Sequence, residues 1–266
     1  MISIQNYVQA QSLQEAYELN QKKRNRILGG MLWLKTSNIS VSTAIDLSQL
    51  GLDIIEETED SFLIGAMVSL RQLELHDRLN AYSQGAVANA VQDIVGVQFR
   101  NMATVGGSIF GRFGFSDVMT VFLAMETYVE LYQGGIIPLE QFASMKKDRD
   151  ILVRLIVKKT PASFNYQAVR NSRTDFPILT CAVSQLNGEY RAVLGARPGL
   201  AKVLHDTTGI LASGITAESA KAFAEFAAKN MKTGENIRGS AAYRTHLVRV
   251  LTKRALLNLG GTNHGN

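Results

Sequence analysis

RNMATVGGSIFGRFGFSD, residues 100–117, is the stretch from which the rest of the chain is read. It carries four glycines, Gly106, Gly107, Gly111 and Gly114. Glycine has no Cβ, so it admits positive φ and lets another group come close to the backbone. A glycine pair followed by a small hydroxyl, Gly106-Gly107-Ser108, can aim several N–H groups at one point, and such a concavity binds anions, phosphate above all. The stretch closes on Ser116-Asp117, just before the apolar run 118–125, which predicts a buried helix with Ser116 or Asp117 as its N-cap. An acid at that point can also accept hydrogen bonds from ligand hydroxyls, as the acid of a dinucleotide fold does from a ribose. The competing reading is a glycine-rich turn that enters a buried helix and holds no ligand.

Working outward, a second glycine pair lies upstream. Arg26-Ile27-Leu28 reads as a strand that stops at Gly29-Gly30, and Met31-Leu32-Trp33-Leu34 reads as the start of an apolar helix. A strand that ends in glycines and turns into a helix is a natural phosphate site. A tight turn with an apolar helix behind it is the alternative. Two such segments in one domain favour a diphosphate ligand over a single phosphate.

The 266 residues suffice for one large or two ordinary domains, and an apolar fraction of 46% with 19% charged residues is that of a globular protein with a sizeable core. The net charge is +5, but the basic residues are scattered apart from Lys22, Lys23, Arg24 and Arg26, and nothing alternates basic with aromatic residues. A nucleic-acid platform is therefore not expected. Residues 1–11 lack the basic start and apolar core of a secretory leader, and the longest apolar stretches, 62–70 and 118–125, fall well short of the roughly 20 residues of a membrane span. A single cysteine, Cys181, excludes an internal disulfide, an iron–sulfur cluster and a cysteine zinc site, and fits a reducing cytoplasm.

Strands are expected at 2–8, 41–45, 52–57, 61–64, 127–132 and 151–157, with a hairpin turn at 58–60 and another at Gly134-Gly135. Helices are expected from Ser12, with Glu15 three residues on as in a capping box, and over 67–79, 82–95, 116–126 and 139–144. Residues 158–161, polar and closed by Pro161, make the best domain boundary. Beyond them the pattern changes. Strands over 163–169, 178–186 and 189–194, with the hairpin turn Asn187-Gly188, give a three-stranded sheet. Two helices follow, capped by Thr216 and Ser240, and the glycine- and asparagine-rich residues 260–266 read as a disordered tail. The fold class is α+β, with a mixed first domain over 1–160, divided near residue 55, and a smaller domain over 161–266.

Catalytic side chains are scarce. His76, His205, His246 and His264 are not spaced with carboxylates or cysteine as metal ligands are. No serine stands in G-x-S-x-G, neither glycine segment has the lysine of a P-loop, and G-x-G-x-x-G does not follow a strand. A chain that supplies grip without acid–base machinery leaves the chemistry to its cofactor.

Taken together, these residues resemble the flavin-binding subunit, or middle domain, of the molybdenum hydroxylases, the family of xanthine dehydrogenase and carbon monoxide dehydrogenase. The resemblance runs through IQNYVQAQSLQEA (4–16), RILGGMLW (26–33), residues 100–117, YQAVRNSRTDFPILTCAV (166–183), Leu194-Gly195-Ala196 and IRGSAAYRTHLVRVLTKRAL (237–256). It implies a two-part FAD-binding domain of the molybdopterin-dehydrogenase type followed by a smaller α/β domain, with FAD held non-covalently. By resemblance, Gly29, Gly30, Met31, Leu32 and Trp33, with Thr104, Val105, Gly106, Gly107 and Ser108, hold the pyrophosphate. Asp117 binds ribose or ribityl hydroxyls, and Phe176 lies beside the isoalloxazine ring or is a core aromatic. The implied partners are a large subunit with the molybdenum cofactor and a small iron–sulfur subunit, and the family's usual electron sink is NAD⁺.

There are departures from the family's pattern. Met31-Leu32-Trp33 replaces the Thr, Ser or Asp usual after the first glycines, Gly-Gly-Ser replaces Gly-Gly-Asn, and residues 110–115 carry Arg112 and phenylalanines where small residues and proline are commoner. They bear on cofactor affinity more than on fold, and they support an alternative: a non-catalytic relative that kept the fold but binds FAD weakly or not at all. Valine at Gly107 is expected to remove the flavin and spare the fold, and valine at Gly195 to leave the flavin largely in place.

Overall fold

Three sheets, with helices around and between them, make up residues 1–261 of the computed structural model. The tail reading falls, from residue 262 onward, outside the described residues. The first sheet is parallel throughout, in the order β1-β3-β2, from β1 (Ser3–Gln9), β2 (Arg26–Leu28) and β3 (Ser40–Asp46). Helix α1 (Leu13–Asn20) begins where the Ser12 hydroxyl accepts the N–H of Glu15 and the Glu15 carboxylate accepts the N–H of Gln11. That reciprocal bonding satisfies donors that no helical carbonyl can reach. After Gly30 comes only a 3₁₀ turn, Leu34–Thr36, rather than the helix expected there.

The second sheet is antiparallel, in the order β4-β5-β8-β6-β7, built from β4 (Ile55–Glu57), β5 (Ser61–Gly65), β6 (Thr127–Leu131), β7 (Gly135–Pro138) and β8 (Leu152–Lys158). Both expected hairpins are present, β4 to β5 and β6 to β7. Between β5 and β6 the chain makes short helices: α2 (Leu70–Leu75), α3 (Asp77–Tyr82), α4 (Ala86–Val91), α5 (Val97–Met102), α6 (Val105–Gly111) and α7 (Asp117–Leu123). Helix α8 (Leu139–Ser144) follows β7. The single helix expected over 82–95 is cut down to α4, because Gln84 and Gly85 take φ of 53° and 79° and Val95 takes 51°. The stretch 67–79 is likewise divided, at His76, whose extended backbone ends α2 while its ring nitrogen caps α3. Every residue of α7 is buried, as an all-round apolar helix must be.

The third sheet is antiparallel, in the order β12-β11-β10-β9, from β9 (Ala162–Arg170), β10 (Pro177–Leu186), β11 (Glu189–Gly195) and β12 (Lys202–His205). It has one strand more than the three expected. The four residues of β12 pair with Arg191–Leu194 and show too brief an alternation to stand out. Asn187 and Gly188, with φ of 48° and 87°, make the expected hairpin turn. Helices α9 (Ala217–Asn230) and α10 (Ala241–Leu259), capped by Thr216 and Ser240, cover one face.

Strand alternation decides what each face of this sheet does. Cys181, Val183, Ala192 and Leu194 pack with Phe223, Val248 and Leu251 under α9 and α10. Ala182, Val193, Phe164 and Tyr166 pack instead with Val118, Val121 and Phe122 of α7, in the same core as Phe62, Ile64 and Leu155 of the second sheet. The two halves of the chain therefore share one hydrophobic core.

Candidate functional site

The two glycine segments meet backbone to backbone. A Cβ on Gly30 would fall 1.8 Å from the Met102 carbonyl oxygen, and one on Gly29 would fall 2.8 Å from Thr104 Oγ1. Only glycine permits such an approach. A cavity of about 450 Å³ opens on one side of this joint and a second of about 300 Å³ on the other. Ile27, Gly29, Thr104, Gly107 and Gly111 line both, so the cavities adjoin at the glycines.

Of the residues expected to hold the cofactor, Gly29, Gly30, Met31, Leu32, Trp33, Thr104, Gly107, Ser108, Asp117 and Phe176 all line the larger cavity. Val105 and Gly106 do not. Val105 is fully buried with its N–H bonded to the Val68 carbonyl at 2.8 Å, and Gly106 donates to the Ala66 carbonyl at 2.7 Å while lining the smaller cavity. The second segment is thus the first turn of α6 and not an open loop. Thr104 caps it by accepting the Gly107 N–H at 3.1 Å, and the Ser108 N–H returns to the Thr104 carbonyl at 3.1 Å. In the first segment, among the described residues, the N–H groups of Gly30, Met31, Leu32 and Trp33 donate to no protein group. Met31 holds φ of 58°, a conformation that L residues adopt at a cost.

One end of the larger cavity is walled by aromatic rings. Trp33 lies 5.9 Å from Phe113, 5.6 Å from Phe115 and 5.7 Å from Phe176, centroid to centroid. Phe113 and Phe115 stack at 5.2 Å, and Phe115 meets Phe176 edge-on at 4.7 Å. The Arg238 guanidinium lies 4.8 Å from the Phe176 ring centroid. Phe176 therefore belongs to the cavity wall.

Asp117 begins α7, and Ser116 is the cap, its hydroxyl accepting the Met119 N–H at 3.0 Å. Asp117 is only 4% exposed. It accepts from the Tyr166 hydroxyl at 2.5 Å and from Arg170 Nη2 at 2.7 Å, both on β9. Burial pushes this carboxyl up to about 6, against the Arg170 guanidinium and the Tyr166 hydroxyl, which pull it down. Burial also raises the Tyr166 hydroxyl well above its ordinary range. Tyr166 and Arg170 escaped the sequence reading as site residues, because the strand expected there stops at residue 169; four apart along β9, they lie on one face. Arg170 and Asp175 line the larger cavity as well. Among the described residues no group of three or more His, Cys, Asp and Glu could hold a metal ion, and no helix is long and apolar enough to cross a membrane.

Comparisons with known proteins find family models for both halves of the chain. Residues 2–159 match the family model described as the FAD binding domain in molybdopterin dehydrogenase, and residues 164–259 the one described as the CO dehydrogenase flavoprotein C-terminal domain. The chain is 25% identical over 253 residues to the uncharacterized protein YgfM of Escherichia coli (strain K12), covering 93% of each. It is 26% identical over 236 residues to the nicotine 6-hydroxylase medium subunit of Paenarthrobacter nicotinovorans, covering 82% of each. In fold it matches a chain of the reconstituted CO dehydrogenase from Oligotropha carboxidovorans, with a TM-score of 0.86 at 20% identity over 98% of this chain and 99% of that one. A chain of the carbon monoxide dehydrogenase from Hydrogenophaga pseudoflava gives 0.84 at 23% identity over 96% of each.

Proposed function

The chain belongs to the FAD-binding medium subunits of the molybdenum hydroxylase family, and from that premise we propose that it relays electrons from a partner's iron–sulfur clusters through FAD to a diffusible acceptor. The observation that carries this reading is the pair of cavities joined at the glycines, with the unpaired N–H groups of residues 30–33 at the joint. A ligand with two bulky ends and a diphosphate between them fits that shape. Gly29 to Trp33 would grip the pyrophosphate through their backbone, because spare N–H donors in a tight turn attract anions. The aromatic wall of Trp33, Phe113, Phe115 and Phe176 would face the flat ring. Bound FAD supplies the redox chemistry, and the protein's part is to position it and keep water from it.

The division of labour is supported by Cys181. This only thiol is fully buried beside Thr252, and burial pushes it up to about 12, so it neither holds nor contacts a cluster. Clusters and molybdenum would reside on partner subunits, as in a three-part hydroxylase, with NAD⁺ as the acceptor. Extraction of the bound cofactor and chromatography against standards tests the first step. FAD is expected, and FMN alone would sink the reading. Anaerobic addition of NADH should then bleach the flavin band if NAD⁺ is the acceptor.

One observation favours a second reading, a relative that kept the fold and lost the flavin: the donors of residues 105–108 are all spent inside the protein. A colourless purified protein that ignores added FAD would establish it.

A further inference from the structure

Tyr166 and Asp117 stand between two cavities of opposite character. On one side lies the cavity assigned above to FAD, whose wall includes Asp117 and Arg170. On the other lies a polar cavity of about 380 Å³, lined by Tyr166 and Arg170 together with Asn89, Gln92 and Asp93. The Tyr166 hydroxyl already donates to Asp117 at 2.5 Å, so a hydrogen-bonded chain crosses the wall. We propose that Tyr166 and Asp117 form a proton path that carries protons from the polar cavity to the bound flavin. The proposal rests on the FAD reading of the larger cavity.

The chemistry requires such a path. Reduction of FAD by a partner that donates single electrons follows FAD + 2 e⁻ + H⁺ → FADH⁻, so the electrons come from the partner and one proton must reach the ring. Residues around the cavity, such as Leu32, Ile94, Phe99, Phe113 and Phe115, offer no proton. The Tyr166 hydroxyl proton passes to the Asp117 carboxylate and on toward the ring, and the tyrosine takes another from water in the polar cavity. Both side chains end as they began, and the net change is one proton moved. Asp175 also lines the cavity, but Arg238, at 3.1 Å, and the Phe176 N–H donate to it rather than a hydroxyl that borders the polar cavity. Asp117 is pushed up to about 6 and can exchange its proton near neutral pH.

The groups facing Asp117 are few. On β9 they are Tyr166 and Arg170, and on β10 the thiol Cys181 acts on Tyr166. Helices α4 and α6 pack near α7 and carry no titratable side chain. Glu140 of α8, Glu189, Tyr190 and Arg191 of β11, and Lys202 and His205 of β12 lie on elements that also touch α7. Arg170 is nonetheless the charge that acts on Asp117.

The test uses the full chain loaded with FAD. Proton uptake on anaerobic reduction of the flavin is followed with a pH indicator, against flavin absorbance in the same sample. Tyr166→Phe and Asp117→Asn should each take up the proton at least tenfold more slowly than the wild type. A loaded variant of either kind with the wild-type rate overturns the path. If either variant fails to fold or to load, the wild type decides in deuterated buffer. A solvent isotope effect on proton uptake supports the path, and its absence overturns it. A wild type that binds no FAD instead brings down the cofactor reading itself.

Discussion

Around Gly29-Gly30 the N–H groups of residues 30–33 find no acceptor among the described residues, whereas around Gly106-Gly107 those of residues 105–108 are all taken, by Val68, Ala66 and Thr104. The two segments look alike as sequence and touch in space, but their glycines serve different ends. Gly30 lets the first segment press against the Met102 carbonyl and leaves its own donors spare. Gly106 makes room for the Ala66 carbonyl, 2.7 Å from where its Cβ would be, and gives its N–H to that same oxygen. A glycine pair thus announces a close backbone approach. Whether the approach serves a ligand depends on whether a helix cap and a neighbouring strand end have already used the donors.

Substitutions can break this contrast, and the first segment should be the more sensitive. In Gly30→Val the side chain would collide with a backbone carbonyl that cannot swing away. Overpacking of this kind destabilises by about 3 kcal/mol, which lowers the melting temperature by about 6–12 °C in a chain of this size. Flavin absorbance should vanish as well. Full occupancy would mean that the close approach at Gly30 is not needed for binding.

Gly195→Val comes next, and here the sequence expectation is corrected. A Cβ at Gly195 would lie 2.2 Å from Thr120 Oγ1 and 2.4 Å from Thr180 Oγ1, two buried hydroxyls that bond each other at 3.0 Å. The substitution should part α7 from the third sheet, lowering stability by about 2 kcal/mol and flavin content with it. Urea unfolding with flavin fluorescence as a second probe checks this, and an unchanged midpoint would restore the original expectation.

Gly107→Val should do less than the sequence alone predicts. Its backbone is not left-handed, so no strain is added, and its Cβ would lie 3.1 Å from Thr104 Oγ1, tight but able to relax. FAD affinity should fall about tenfold, or about 1.4 kcal/mol, rather than be lost, in a fluorescence titration of the folded protein. The smallest effect belongs to Thr104→Val. Loss of the α6 cap is worth about 1 kcal/mol, a fall of about 2–4 °C. Flavin content should remain, because the Gly107 N–H that the cap releases can itself turn to the phosphate. A large loss of flavin here would show that the second segment grips after all.

Local rules made much of this fold legible. Residues 118–123, apolar but for Thr120, read as a buried helix, Asn187-Gly188 as a hairpin turn, and Ser12, Thr216 and Ser240 cap the helices they precede. What stayed hidden depends on partners distant in sequence. The Ala66 carbonyl that occupies Gly106 is forty residues away, and Arg170, which occupies Asp117, is fifty-three. No local pattern marks either pairing. The break in the helix at Gln84 was equally invisible, since its left-handed backbone departs from its residue type's preference.

The third sheet turns Ala182 toward α7 and Cys181 toward α10, and so belongs to two cores at once. Neither half can then let go of it without exposing apolar surface to water, and unfolding becomes a single cooperative event rather than two melts in series. Native-state amide hydrogen exchange would register this as near-equal protection for β10, α7 and α10. A gene cut near residue 160 would leave α7 without the strands that cover it, and such a fragment would meet its own kind through that bare face before it met a cofactor.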